Sequence, residues 1–325
     1  MQEEQNRLEV KNLSVEIQAG TKNYKILKQV SFAIRPGEIL GLVGESGCGK
    51  SMTSLAVMGL LPATIRISEG EIQLNHKSFI SLNEKERCKI RGSEISMIFQ
   101  EPMSALNPLI PVGRQIEECY RIHHKNVLAE EAKKVTLDMM EKVGLSGAER
   151  LYREYPHQLS GGMKQRIVIA MALINHPQLI IADEPTTALD VTIQAQILEL
   201  LKELNKEYGC SILFISHDLG VVRSICDRIV VMYAGQIVEQ GETEEILREP
   251  WHCYTRGLLA SLASAEKKGK ELYSISGYVE PLEKRREEGC PFANRCEKAQ
   301  KICYEQCPEI QKKQGRENRC FYEGV

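Results

Sequence analysis

The run Gly44-Glu45-Ser46-Gly47-Cys48-Gly49-Lys50-Ser51 sets three glycines, a lysine and a hydroxyl at the spacing that cradles nucleotide phosphates. The glycines let backbone N–H groups point inward at the β-phosphate. Lys50 would hold the β- and γ-phosphates as a point charge, and the Ser51 hydroxyl would ligate magnesium. Cys48 falls at a free position of the pattern and needs no redox role. A second run, Leu159-Ser160-Gly161-Gly162-Met163-Lys164-Gln165-Arg166, opens the apolar stretch Ile167 to Ile174 with a small hydroxyl and unobstructed backbone. That is an anion site at a helix N-terminus. The two phosphate-recognising helix starts can grip one γ-phosphate from both sides only if they face each other. The sharp reading is a nucleotide sandwiched between two subunits.

Other reactive residues stand at the ends of apolar runs. Leu179-Ile180-Ile181-Ala182-Asp183-Glu184-Pro185 delivers two acids to the C-terminal end of a buried strand, where open α/β sheets bind ligands. Asp183 suits a magnesium shell, and Glu184 suits orienting or deprotonating the water that attacks a γ-phosphate. His217 follows the apolar run Ile212 to Ile215. A lone histidine there is more often structural, but beside a phosphate loop the balance turns toward function. Gln100 ends the run Ile95 to Phe99, where it could meet a metal or water, although a glutamine at a strand exit is usually just solvated.

The elements that must position these groups alternate between strand and helix. Glu38 to Val43 is a short apolar strand entering the glycine loop, and a helix beginning at Lys50 extends through Met52 to Leu61. Ile95 to Phe99, Leu179 to Ala182 and Ser211 to Ser216 read as buried parallel strands. Ile193, Ile197, Leu200, Leu201 and Leu204 recur at helical spacing. So do Leu128, Ala132, Val135, Met139 and Val143, before Gly144 as a cap. Leu8 to Ile34 alternates apolar and polar residues in two runs around residues 19–23, which predicts an antiparallel hairpin. Residues from about Glu101 to Pro156 form a mainly helical insertion. Glu266 to Glu288 is charge-rich and reads as linker or surface structure, ahead of a cysteine-dense tail.

With 325 residues, one large domain with additions or two domains are expected. The charge balance, 42 basic against 44 acidic residues, argues against broad binding to nucleic acid. No uncharged stretch reaches the roughly 18–20 apolar residues of a membrane span. Met1 to Val10 is polar and acidic, without the pattern of a signal peptide, so the chain is expected in the cytoplasm. Eleven cysteines in a reducing compartment then point to a metal site before disulfides. Cys290, Cys296, Cys303 and Cys320, with Cys307 nearby, suit an iron–sulfur cluster or tetrahedral zinc. Unliganded thiols are the plainer alternative, and spacing alone does not choose.

The ordered set of motifs resembles the ATP-binding subunits of ABC transporters over residues 8–248. It comprises Walker A at Gly44 to Ser51, a Q-loop at Gln100, the signature Leu159 to Arg166, Walker B ending in Asp183-Glu184, a D-loop at Ala188-Leu189-Asp190 and an H-loop at His217. The resemblance implies a P-loop NTPase of α/β class with a RecA-like core, an N-terminal antiparallel β subdomain, a helical subdomain at about 101–160 and, from 249 to 325, a cysteine-rich C-terminal extension. It implies ATP held by Gly44 through Met52, magnesium on Ser51, Gln100 and Asp183, Glu184 as general base and His217 as γ-phosphate sensor. It also implies a head-to-tail pair of cassettes, in which Ser160, Gly161 and Gly162 complete the partner's site and Asp190 crosses the interface. An aromatic residue stacking on adenine is expected upstream of the loop, and Tyr24 is the candidate, with a plain hairpin role as the alternative.

Phe99 to Pro108 and Trp251-His252-Cys253-Tyr254-Thr255-Arg256-Gly257-Leu258-Leu259 resemble, more narrowly, the oligopeptide, dipeptide and nickel importer branch, with Cys253 where that branch commonly has proline. This implies an ATPase on the cytoplasmic face of the membrane, working with a second cassette, two transmembrane permease subunits and, indirectly, an extracellular solute-binding protein. It also implies a [4Fe-4S] cluster on Cys290, Cys296, Cys303 and Cys320. A peptide is the expected solute, with nickel or another small solute as the alternative. A soluble ATPase acting on nucleic acid or the ribosome would carry two cassettes or a long coiled coil. A cassette that binds ATP without hydrolysing it would not keep Glu184 and His217.

Overall fold

The computed structural model describes residues 6–187, 189–262, 273–286 and 288–322. Ala188 of the expected D-loop, and residues 266–272 and 287 of the expected linker, lie outside them. The backbone divides into two compact units, one of residues 1–34, 38–80 and 214–325, the other of residues 35–37 and 81–213. No helix among the described residues is long and apolar enough to cross a membrane.

In the first unit the expected hairpin is present. Leu8–Ala19 pairs antiparallel with Lys22–Ile34, in a register that runs from Leu8 opposite Ile34 to Ala19 opposite Lys22. Gly20 turns the chain at φ +62°, a left-handed conformation that glycine adopts without a Cβ penalty. Ile65–Leu74 adds to the free side of the first strand. Leu8, Val10, Leu13, Val15, Leu27, Val30 and Ile34 are buried in this sheet. The fully buried strand Ile39–Val43 runs parallel to Arg228–Tyr233, which pairs antiparallel with Gln236–Glu242. The helix after the glycine loop spans Lys50–Met58 and stops short of the expected Leu61. Gly59 takes φ +62° and donates to Ala56 O while Leu60 N–H donates to Leu55 O, a left-handed stop with Pro62 beyond it.

The cysteine-bearing tail joins this unit through its backbone. Arg316–Asn318 pairs with Gln236–Glu242, Glu239 opposite Asn318, and Gln311–Lys313 pairs on its other side. A buried carboxylate secures the join. Glu239 accepts from Arg316 Nη2 at 2.8 Å and from the N–H groups of Trp251 and His252 at 2.8 and 3.0 Å. Arg316 also lies over the Trp251 ring, 3.9 Å from its centroid.

In the second unit Ile95–Ile98 runs parallel to Leu179–Asp183. The expected helical insertion is seen as Pro102–Ala105, Val112–His123, Ala129–Lys142 and Ala148–Leu151, followed by the signature helix Gly161–Leu173. Gly144, at φ +78°, lies just past the helix it was expected to end. Val191–Tyr208 buries Ile197, Leu200, Leu201 and Leu204 on one face. The strand Ser211–Ser216, wholly buried, carries the chain out of this unit toward His217.

Glu239 and Arg316 have side-chain exposures of 0% and 5%. Arg316→Ala leaves the carboxylate buried without its cation and is expected to lower unfolding free energy by about 3–5 kcal/mol, measured by denaturant titration. A loss below about 1 kcal/mol would show that the two backbone N–H groups suffice.

Candidate nucleotide site

The phosphate loop is shaped by close approach as well as by glycine freedom. A Cβ at Gly44 would stand 2.2 Å from the Met232 carbonyl oxygen, and one at Gly49, where φ is +111°, would stand 2.7 Å from Leu27 Cδ2. Gly49 is the residue before the helix, so the first N–H groups of Lys50–Met58 open onto the loop. Lys50 is buried, and its ammonium donates to Gly44 O at 2.7 Å and Glu45 O at 3.1 Å. The cation thus rests on the mouth of its own loop. Ser46, Gly47 and Ser51 are exposed, Met52 is half-buried, and Cys48 is wholly buried, which raises its thiol pKa by desolvation.

Tyr24 lines a cavity of about 440 Å³, a size suited to a nucleoside. Lys25 and Lys28 share its wall, and Glu280, Arg285 and Asn294 come to it from the tail. The cavity adjoins the loop: Ala234 and Gln236 line it, and Gly235 between them donates to Cys48 O at 2.8 Å. His217, in the same unit, is exposed at the end of its strand, followed by Asp218, which caps the helix Leu219–Ile225.

The second unit brings Gln100 and Glu184 together. Gln100 Nε2 and Thr187 Oγ1 both donate to Glu184 Oε2, at 3.1 and 2.9 Å. Thr187 carried no sequence signal. Glu184 takes φ +46°, a left-handed backbone that is uncommon outside glycine, directly after the buried Asp183. Ser160 caps the signature helix, its Oγ accepting from Met163 N–H at 3.3 Å, and Asp190 caps Val191–Tyr208 by accepting from Ile193 N–H at 2.9 Å. The two helix starts are neighbours. A Cβ on Gly161 would lie 3.7 Å from Leu189, and one on Gly162 only 2.8 Å from Ile193. Glycine at 162 therefore serves packing within this chain as well as access to the helix N-terminus.

Cys290, Cys296, Cys303 and Cys320 all line one small cavity of about 10 Å³, near the volume of one water molecule. His252 and Cys253 line it too, which sets the Cys253 thiol beside those of Cys296 and Cys320. Those two neighbours lower the Cys253 thiol pKa from its usual value, and each of them is raised in turn. Cys307 stands apart, donating to Gln236 Oε1 at 3.6 Å. Among the described residues no group of three or more His, Cys, Asp or Glu side chains is arranged to hold a metal ion. Sequence reading missed Cys253 because it lies 37 positions ahead of the tail's first cysteine, where no ligand spacing reaches.

Comparison with known proteins identifies the family. Residues 27–187 match the ABC transporter family, and residues 238–303 match the C-terminal region of oligopeptide/dipeptide transporters. The ATP-binding cassette MJ0796, solved as a dimer in a post-hydrolysis state with ADP and Pi, shares 32% identity at a TM-score of 0.65, covering 73% of this chain and 98% of that one. The fold is that of an ABC-cassette ATPase. AppD of Bacillus subtilis (strain 168), an oligopeptide transport ATP-binding protein, is 48% identical over 97% of this chain and 96% of its own length. DppD of the same organism, a dipeptide transport ATP-binding protein, is 47% identical over 91% of this chain and 88% of its own. The chain belongs to the oligopeptide and dipeptide transport branch of ABC transporter ATP-binding subunits.

Gly44→Ala drives a methyl into the Met232 carbonyl, and relief requires the loop to move. MgATP binding is expected to be lost while the far-ultraviolet circular dichroism stays near wild type. Retained affinity would show that the loop tolerates displacement.

Proposed function

We propose that this chain hydrolyses ATP to drive uptake of oligopeptides or dipeptides. The observation that carries the chemistry is the Glu184 carboxylate, which accepts from Gln100 and Thr187 at the end of a buried strand. These donors fix the rotamer, so Glu184 can orient the attacking water and take its proton. The loop Gly44, Glu45, Ser46, Gly47, Cys48, Gly49, Lys50 and Ser51, with Met52, holds the phosphates. Tyr24 stacks on the adenine in the 440 Å³ cavity, and His217 contacts the γ-phosphate. Hard oxygen donors on Ser51, Gln100 and Asp183 suit Mg2+, which when bound neutralises charge on the β- and γ-phosphates.

The chain works, in this reading, as a cassette over residues 1–248, with its helical insertion at about 101–160, joined to an extension over residues 249–325. It pairs with a second cassette, either a second copy or a related subunit. Ser160, Gly161 and Gly162 then serve the partner's ATP, and Asp190 lies at the shared interface. Two transmembrane permease subunits receive the motion at the cytoplasmic face of the membrane, and a solute-binding protein delivers cargo from outside. Glu184→Gln keeps the shape of the side chain and removes the base. It is expected to preserve MgATP binding, trap the paired cassettes closed and lower turnover roughly a hundredfold or more. Undiminished turnover would remove Glu184 from the mechanism.

The tail thiols Cys290, Cys296, Cys303 and Cys320 are proposed to hold a [4Fe-4S] cluster. The donor chemistry fits, since the cavity they line offers soft thiol ligands. Its 10 Å³ is small for a cluster, so the side chains must spread to take one up. Anaerobically purified protein is expected to contain iron and acid-labile sulfide in about equal amounts. Stoichiometric zinc with no sulfide would sink the assignment.

A further inference from the structure

Two side chains from the tail half of the first unit hold the second residue of the phosphate loop. Arg295 grips the Glu45 carboxylate with both terminal nitrogens, Nη1 to Oε2 at 2.5 Å and Nη2 to Oε1 at 3.0 Å. Tyr254, wholly buried, accepts from the Glu45 N–H through its hydroxyl at 2.8 Å. Two residues further along the loop, Arg285 Nη2 donates to Gly47 O at 3.0 Å. The exposed Ser46 is therefore flanked on both sides by loop residues fixed from outside the motif.

The grip has a rigid backing. Arg295 also donates from Nε to Ser276 O at 2.8 Å, and its guanidinium lies 5.7 Å from the centroid of the Tyr233 ring. Tyr233 packs edge-on against Tyr254 and Phe292, with centroids 4.7 and 5.2 Å away. The next residue after Arg295 is Cys296, the residue before Tyr254 is Cys253, and both thiols line the same small cavity. Each hand on Glu45 thus sits one residue from that shared cavity. A bidentate charged pair with an arginine that is 7% exposed is strong enough to hold backbone geometry.

A glycine-rich loop left to itself must be ordered when phosphate binds, at a cost in backbone entropy for each residue fixed. A loop ordered beforehand avoids that loss. We propose that Arg295 and Tyr254 are positioning residues for the phosphate loop, braced by the Tyr233 and Phe292 rings, so that the extension sets the loop's affinity for nucleotide phosphates. This rests on reading Gly44 to Ser51 as the ATP phosphate loop.

The test uses the full chain and two ligands: MgATP, and magnesium tripolyphosphate, which offers phosphates without a nucleoside. Titration calorimetry on wild type, Arg295→Ala, Arg295→Lys and Tyr254→Phe is read beside thermal unfolding of each. Arg295→Ala is expected to weaken both ligands by the same factor, at least about tenfold, as loss of a charged, bidentate contact implies. Arg295→Lys should recover part of that loss, and Tyr254→Phe, which removes one hydroxyl, should weaken both ligands a few-fold. Tyr254→Phe and Arg295→Lys carry the test if Arg295→Ala does not fold. A lowered melting temperature with both affinities unchanged would make the pair merely structural and overturn the inference. So would a loss confined to MgATP, because Arg295 would then read the nucleoside. A folded wild-type chain that binds no MgATP would overturn the nucleotide reading itself, an outcome distinct from wild-type binding that the substitutions leave intact.

Discussion

The Met232 carbonyl oxygen lies where a side chain on Gly44 would have to be, and the site is built around that approach. The parallel ladder between Ile39–Val43 and Arg228–Tyr233 sets Val43 opposite Val231, so the loop leaves its strand against the backbone of the neighbouring one. Gly235, just beyond, donates to Cys48 O, and a Cβ there would stand 2.1 Å from Ile26 O. Three backbone segments therefore meet with no room for side chains. The loop's curvature is inherited from the sheet, and the buried Lys50 and Cys48 fill what space remains beneath it. Contact of this kind stiffens a segment whose composition alone would leave it loose.

Much of this was legible in the sequence because buried parallel strands are continuous apolar runs. Leu179 to Ala182 and Ser211 to Ser216 could be read directly, and each ends at residues suited to chemistry. The hairpin from Leu8 to Ile34 was equally plain, since period-two alternation survives the bulges near Leu13 and Val15. The helix from Lys50 was drawn too long because Gly59-Leu60-Leu61 continues the apolar pattern, whereas the left-handed turn at Gly59 is a backbone event that hydrophobicity does not report. Glu184 was found by its position, but not its unusual φ or its bond from Thr187.

The long-range contacts were invisible for a different reason. Tyr254 reaches Glu45 across 209 positions and Arg295 across 250, and neither pairing follows from any local spacing rule. Cys253 presents the same problem. Read along the chain it is only a departure from a common proline, while in space its thiol lies beside those of Cys296 and Cys320. The tail that spacing analysis treated as an appendage with its own chemistry supplies walls and anchors to the nucleotide half of the first unit.

The pairing of Arg316–Asn318 with Gln236–Glu242 also bears on how the protein is made. Until residues 316–318 emerge from the ribosome, Gln236–Glu242 presents unpaired N–H and C=O groups along that side, with the Glu239 carboxylate awaiting its cation. An open strand edge is a template for adventitious pairing with other chains. Synthesis thus passes through an interval of some seventy-odd residues, counted from Glu242 to Arg316, in which a nascent cassette exposes an adhesive edge. Translation speed and chaperone supply across that interval therefore bear on the yield of correctly paired protein.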